Sequence, residues 1–492
     1  MSNLFSRTVV DQAAYEKVVA RLKERKVRLP RIAELADPST ISPDIVAELA
    51  DLDADAADPR NLFRVHWYND AKRRGFSGTP AHIVLPPELT GVRAKIVVAV
   101  GARFPMIRAH KVLAAYGCLV PRLVTGQFDP LKQRSVWPST GNYCRGGVAI
   151  ATILGCRSVA VLPELMSSER FRWLEEWVAD KRDIVRTPGS ESNLKEIYDA
   201  CRELEKDPQN VIFNQFSEFG NYIVHRAVTG PALEAVFNAV NSEGNLVPRA
   251  FVCASGSSGT LAAGDHLKKR LGSDIAVVEA LECPTLLRNG YGEHNIQGIG
   301  DKHVPLIHNV MNTDFVIGVS DQVSDHLNLL FNTPEGQGYL EARKGVAPEL
   351  LQQLSVLGLS GIANVIAAIK LARYLDLGEE DALLTVATDS AEMYGSQAEK
   401  TLRADYAGDF DTVAAAEVAG HYLYGAATDN LEELDHIGRQ RIFNLGYYTW
   451  VEQQGVSIED FDRRRDPRYW DGLMDMVPVW DALIDKLNAR LI

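Results

Sequence analysis

The chain has no Cys-x-x-Cys pair, and its six cysteines stand apart at 118, 144, 156, 201, 253 and 283. That scatter excludes a zinc framework and points to buried thiols in a reducing compartment rather than disulfides. No apolar run is long enough to span a bilayer. There is no excess of positive charge: the formal net charge is −13, which argues against a nucleic-acid backbone as partner and favours solubility. The opening MSNLFSRTVVDQAAYEKVVARLKERK lacks the apolar core and cleavage site of a secretory signal. Asp11 and Glu16 come too early for a transit peptide. No internal repeat or low-complexity tract is visible. These absences lead to the expectation of a cytoplasmic protein with no membrane, nucleic-acid or metal partner.

What is present is ordinary for a folded protein, with 46% hydrophobic and 24% charged residues. At 492 residues the chain exceeds one minimal core, so a large domain with appendages, or two to three units, is expected. Residues 1–77 read as a helical extension, with Val18, Val19, Leu22 and Val27 giving a partly helical stripe. From Thr79-Pro80 the texture changes. Short β-branched runs at 96–101, 158–163, 211–214, 250–256, 275–281 and 383–390 alternate with helical segments. That alternation predicts parallel sheets covered on both faces, an α/β core over 78–404. Ile362, Val365, Ile366 and Ile369 follow helical spacing, and Gly378 stands where that helix should end. Beyond 405 the strand signal stops, and a helical, acidic and aromatic tail is expected.

Three turns fall at predicted strand ends, where ligands bind in open α/β sheets. Ser255-Gly256-Ser257-Ser258-Gly259-Thr260 lies between a strand and a helix. Its glycines can turn N–H groups toward one point at a helix N-terminus, which suits a phosphate. It is not a Walker A loop, because no lysine follows the second glycine, nor is it a GxGxxG. Pro138-Ser139-Thr140-Gly141-Asn142 offers N–H groups, two hydroxyls and an amide, a set suited to a carboxylate. Thr388-Asp389-Ser390 closes the last strand. Taken singly, each is also an ordinary polar turn. Lys111 is one of 52 Lys plus Arg residues and says little alone.

Their order says more. The chain resembles the fold type II pyridoxal-phosphate enzymes, in particular the cysteine synthase and cystathionine β-synthase branch, over about 78–400. Thr79-Pro80, Phe104-Pro105 through Lys111, PSTGN, Asn214-Gln215-Phe216, His225 with Thr229-Gly230-Pro231, and GSSGT for the family's GTGGT follow in the family's sequence. Ile296 to Gly300, Gly358 to Gly361, and Asp389-Ser390 with Tyr394 complete it. The resemblance implies two open parallel-sheet subdomains with helical extensions at both ends (1–77 and 405–492). The smaller, mobile subdomain would be about 130–235.

It implies pyridoxal 5′-phosphate as cofactor, held by Lys111 as an internal aldimine. Lys111 would then act as base at the substrate Cα. Asn142 would bond the ring O3′, and Gly256, Ser257, Ser258, Gly259 and Thr260 would hold the phosphate. Ser139, Thr140, Gly141 and Gln215 would bind the substrate carboxylate, and Ser390 would face the pyridine nitrogen. A neutral partner there makes the ring a weaker electron sink and favours loss of a β-substituent over transamination. The implied activity is β-elimination or β-replacement on a small L-amino acid through an enzyme-bound aminoacrylate, by a homodimer. A serine/threonine-type ammonia-lyase and a non-catalytic regulator remain as alternatives. The chain departs from the branch at Ala109-His110, where His110 before the lysine looks like tryptophan synthase β subunits. It departs again at Tyr143, Cys144 and Arg145. Tyr143 would narrow the pocket, or Arg145 would meet a second carboxylate.

Overall fold

The computed structural model describes residues 5–491, so Met1 to Leu4 of the expected N-terminal extension, and Ile492, lie outside it. In chain order the strands are β1 (His82–Leu85), β2 (Lys95–Val100), β3 (Arg134–Pro138), β4 (Arg157–Pro163), β5 (Ile184–Thr187) and β6 (Asn210–Ile212). They continue with β7 (Val247–Ala254), β8 (Asp274–Ala280), β9 (Phe315–Val319), β10 (Asp381–Ala387) and β11 (Leu431–Glu433). They form two sheets, one of seven strands in the order β1-β2-β10-β7-β8-β9-β11 and one of four in the order β5-β4-β3-β6. The four-stranded sheet is parallel throughout. In the larger sheet only β1 and β11, at the two edges, run antiparallel to their neighbours.

The apolar runs are strands because both faces of each sheet are covered, leaving no reason for alternation. In β2 every residue after Lys95 is buried. Helix Leu359–Tyr374 lies between β10 and helix Asp321–Asn332, and Ile362, Val365, Ile366 and Ile369 are all buried in it. Its end differs from expectation. The helix stops at Tyr374, Asp376 takes the left-handed conformation (φ 48°), and Leu377 N–H closes onto Ala372 O at 2.9 Å. Gly378 lies beyond, with its N–H bonded to the Asp381 carboxylate. No single described helix is long and apolar enough to cross a membrane.

The tail is not purely helical. β11 pairs with β9 through Leu431–Glu433, a three-residue acidic edge strand with no β-branched residue to announce it. The two ends of the chain also meet. Asp481 accepts from Ile32 N–H at 2.6 Å, and Asn488 Oδ1 accepts from Leu29 N–H at 3.0 Å. Helices Gln12–Glu24 and Met476–Asn488 both pack on helix Lys111–Val124.

Candidate active site

β3, β7 and β10 all point their carboxyl ends at one cleft between the sheets, of about 640 Å³ including its solvent-filled mouth. Lys111 opens helix Lys111–Val124 at its wall. The amine lies 3.1 Å from Ser257 Oγ and 3.4 Å from Gln215 Oε1, with no ion-pair partner among the described residues. Burial lowers its pKa to about 8, and the nearby Cys253 and Asp301 only partly oppose that. The positive end of its own helix works in the same direction.

Beyond β7, the backbone N–H groups of Gly256, Ser257, Ser258, Thr260 and Leu261 donate to no backbone carbonyl among the described residues. The loop leads into helix Ala262–Leu271. A Cβ on Gly256 would stand 2.6 Å from Gly298 O, and one on Gly259 would stand 2.2 Å from Asn221 Oδ1. Ser258 takes φ 63°, and its Oγ lies 2.7 Å from Ser255 Oγ. Asn221, which no motif announced, donates to Ser257 Oγ at 3.0 Å and to Gln215 O at 3.2 Å. His110 backs this loop, its Nε2 2.8 Å from Thr260 Oγ1 and its ring 5.1 Å from His225. Burial drives His110 to about 3, so at neutral pH it is an uncharged support for Thr260.

Across the cleft, the Ser139–Gly141 turn joins β3 to helix Asn142–Ile153. Gly141 has φ 152°, and a Cβ there would stand 2.3 Å from Arg170 Nε. Beneath the turn lies a buried polar cluster. Arg145 donates to Asn142 Oδ1 (3.1 Å) and Ile107 O (3.2 Å), and Asn142 Nδ2 donates to Asp389 Oδ2 (2.7 Å). Tyr394 OH donates to the same Asp389 oxygen at 2.8 Å. Arg170 bonds Gln297 Oε1 and donates to Tyr394 OH at 3.0 Å. Burial, with Arg170 beside it, lowers Arg145 to about 10. Arg170 resists burial through Tyr394 and Asp389, and its pKa is raised.

The cleft therefore gathers Lys111, Ser139, Thr140, Asn142, Gln215, Gly256, Ser257, Ser258, Gly259 and Thr260 from the sequence-predicted set. Gly141 and Ser390 do not line it. Gly141 N–H is turned onto Ser139 Oγ at 3.0 Å. Ser390 is buried where the chain leaves the strand direction for the turn Ala391–Tyr394, and Thr388 takes the wall position at the end of β10. The Thr388 hydroxyl lies 3.1 Å from that of Ser360. Tyr143 lines the cleft with its ring against Trp137, whereas Arg145 is spent on Asn142 and Ile107 below it. Ser360 and Gln297 belong to motifs visible in the sequence, but their roles were not; Asp301 follows directly on one such motif without being part of it.

Residues 104–389 match the model of the family described as "Pyridoxal-phosphate dependent enzyme". This chain belongs to that family. Cysteine synthase B of Campylobacter jejuni is 32% identical over 254 residues, covering 50% of this chain and 74% of that protein. Cystathionine β-synthase of Saccharomyces cerevisiae is 25% identical over 282 residues, 55% of this chain and 51% of the yeast protein. The fold matches that of O-acetyl serine sulfhydrylase isoform 3 from Entamoeba histolytica, with TM-score 0.53 and 22% identity over 70% of this chain and 93% of that one. The protein is thus a cysteine synthase-like, pyridoxal-phosphate-dependent enzyme of fold type II. The residues present fit that cofactor. A buried, pKa-lowered amine faces a cradle of uncommitted N–H groups, and the cradle's glycines leave no room for a side chain.

Proposed function

We propose that this pyridoxal-phosphate enzyme removes or replaces the β-substituent of a small L-amino acid. The observation that carries the reading is the Lys111 amine set between the Gly256–Leu261 loop, with its uncommitted N–H groups, on one sheet and the Ser139–Gly141 turn on the other. Bound there, the cofactor supplies an electron-poor ring that accepts the electron pair released at the substrate Cα. The chain's own groups do the remainder. The 256–261 N–H groups hold the phosphate at a helix N-terminus. Lys111 would hold the cofactor through its amine and carry the Cα proton on Nζ, a role its lowered pKa allows. Ser139, Thr140 and Gln215 receive the α-carboxylate. One Asn142 N–H is committed to Asp389, leaving the other for the ring oxygen. Thr388, at the end of β10, with Ser390 two residues on, would offer the ring nitrogen a hydroxyl.

The four-stranded unit, about 130–235, is the moving subdomain in this reading, and the active species is a cytoplasmic homodimer. Light scattering of the purified protein tests the dimer. The test of the activity is to titrate the holoenzyme with L-serine and O-acetyl-L-serine, with and without sulfide, following the visible spectrum and the products. Spectral change with either amino acid, plus thiol-containing product when sulfide is present, is the expected result. Keto acid alone would move the reading to the lyase. No change with either amino acid would sink it.

A further inference from the structure

Asp301 is a carboxyl group in the cleft that the chemistry above leaves without a task. It follows a turn in which Gly298 and Gly300 take φ values of 102° and 76°, and Gly300 N–H reaches Ser255 O at 2.8 Å. The Thr285 hydroxyl donates to Asp301 O at 2.9 Å, so its backbone is pinned from two sides. Its side chain lines the cleft and is 7% exposed. Oδ2 is closed off from solvent and has no hydrogen-bond partner among the described residues. A buried, unpartnered carboxylate is costly, and the proton-bearing acid is the form such a site tolerates. Burial accordingly lifts its pKa to about 8, with Lys111 pulling the other way. The titratable groups that feel it are Lys111, Glu191, Tyr198 and Cys283. Of these only Lys111 carries positive charge, and Glu191 is itself lifted to about 8 by burial. No arginine or lysine forms an ion pair with Asp301 among the described residues.

We propose that Asp301 is a catalytic acid that gives its proton to the departing β-substituent, fitting this enzyme to amino acids whose β-oxygen leaves as water, L-serine first among them. The inference rests on the β-replacement reading above. As the Cβ–O bond breaks, its electron pair stays on oxygen, which takes the Asp301 proton and departs as water. An incoming thiol then bonds Cβ through sulfur and returns its S–H proton to the Asp301 carboxylate. Lys111 Nζ takes the Cα proton before the first event and gives it back after the second. Serine and thiol become thioether (or cysteine, from sulfide) and water, with Asp301 and Lys111 restored. An acetate leaving group is a far weaker base than hydroxide and needs no such donor, and sulfide entering as hydrosulfide then needs no acceptor, so that reaction proceeds without Asp301.

The experiment compares wild type, Asp301→Asn and Asp301→Glu holoenzymes on L-serine and on O-acetyl-L-serine, each with sulfide. The spectral change on adding either amino acid alone is followed as well. Asp301→Asn is expected to lose about 100-fold or more in kcat/KM on L-serine, within the range for a positioned acid, and to stay within about threefold on O-acetyl-L-serine. The spectral change with L-serine slows in parallel, that with O-acetyl-L-serine does not, and Asp301→Glu recovers part of the serine rate. Equal losses on both amino acids would make Asp301 structural and overturn the proposal. So would an unchanged serine rate, or a wild type active on O-acetyl-L-serine and inert on L-serine. A wild type inert on both fails the β-replacement reading itself.

Discussion

The two loops that close on Lys111 are held by different means. The Gly256–Thr260 loop is fixed at its start by backbone, with Gly298 O where a Gly256 side chain would go and Gly300 N–H bonded to Ser255 O, and farther on by the Asn221 and His110 side chains. The Ser139–Gly141 turn is fixed by side chains brought from elsewhere. Arg170, on helix Ser168–Trp177, lies under Gly141 and reaches Tyr394 and Gln297, while Asn142 reaches Asp389. Backbone atoms have nowhere to retreat, whereas long side chains have other rotamers. The start of the cofactor grip, at Gly256, is therefore set within one sheet. The substrate grip depends on how the two sheets stand to each other.

The largest effect expected is common to both loops. Lys111→Ala should lower kcat by about 10³-fold or more, since nucleophile and base are lost together. Borohydride should no longer attach the cofactor to the chain, while the thermal midpoint of the cofactor-free protein stays put. Retained turnover would break the assignment. The loops then separate. Gly256→Ala should weaken cofactor binding about 100-fold, because its Cβ meets a carbonyl, and leave the KM of the residual holoenzyme alone. Gly141→Ala combines an unfavourable φ with a collision against the flexible Arg170 side chain. It should leave cofactor affinity within about threefold and raise the amino-acid KM about tenfold. If both variants lost cofactor equally, the contrast between the loops would be false.

Much of this was legible in the sequence, for identifiable reasons. β2, β4, β7, β8 and β10 each carry a run of apolar and β-branched residues buried in sequence, so cover on both faces is written into their composition. Two of the three turns carry their own glycines, and all three carry hydroxyls. β11 was not legible, since Leu431–Glu433 is a strand only because the edge of β9 is there to receive it. The Arg145–Asn142–Asp389–Tyr394–Arg170 cluster was equally hidden. Asn142 and Asp389 are 247 residues apart, and nothing local says which partner a buried guanidinium will find. Thr388 and Ser390 are a subtler case: the motif gave the neighbourhood, but where the chain turns out of the strand decides which hydroxyl meets the cleft.

Two smaller predictions sharpen the cofactor side. Because the Lys111 pKa is lowered to about 8, its neutral amine predominates above that pH rather than only above the ordinary lysine range. The rate at which cofactor-free protein turns yellow with added pyridoxal phosphate should rise with pH and reach half its limit near pH 8. A midpoint near 10 would remove desolvation as the cause. The smallest effect concerns Ser258, at φ 63° where the family pattern has glycine. Ser258→Gly should be more stable than Ser258→Ala by about 1 kcal/mol, since both lose the hydroxyl and only alanine keeps the left-handed strain. Denaturant titration of the two cofactor-free proteins measures the difference.

The meeting of the chain ends has a consequence for synthesis. The helix that begins with Lys111 is covered from one side by helix Gln12–Glu24 and from another by helix Met476–Asn488. During translation the lysine's helix waits, half-clad, for more than three hundred residues to emerge. The cover of that helix is thus completed only by residues far from it in the chain, and a truncation that removed 476–488 would bare one side of it.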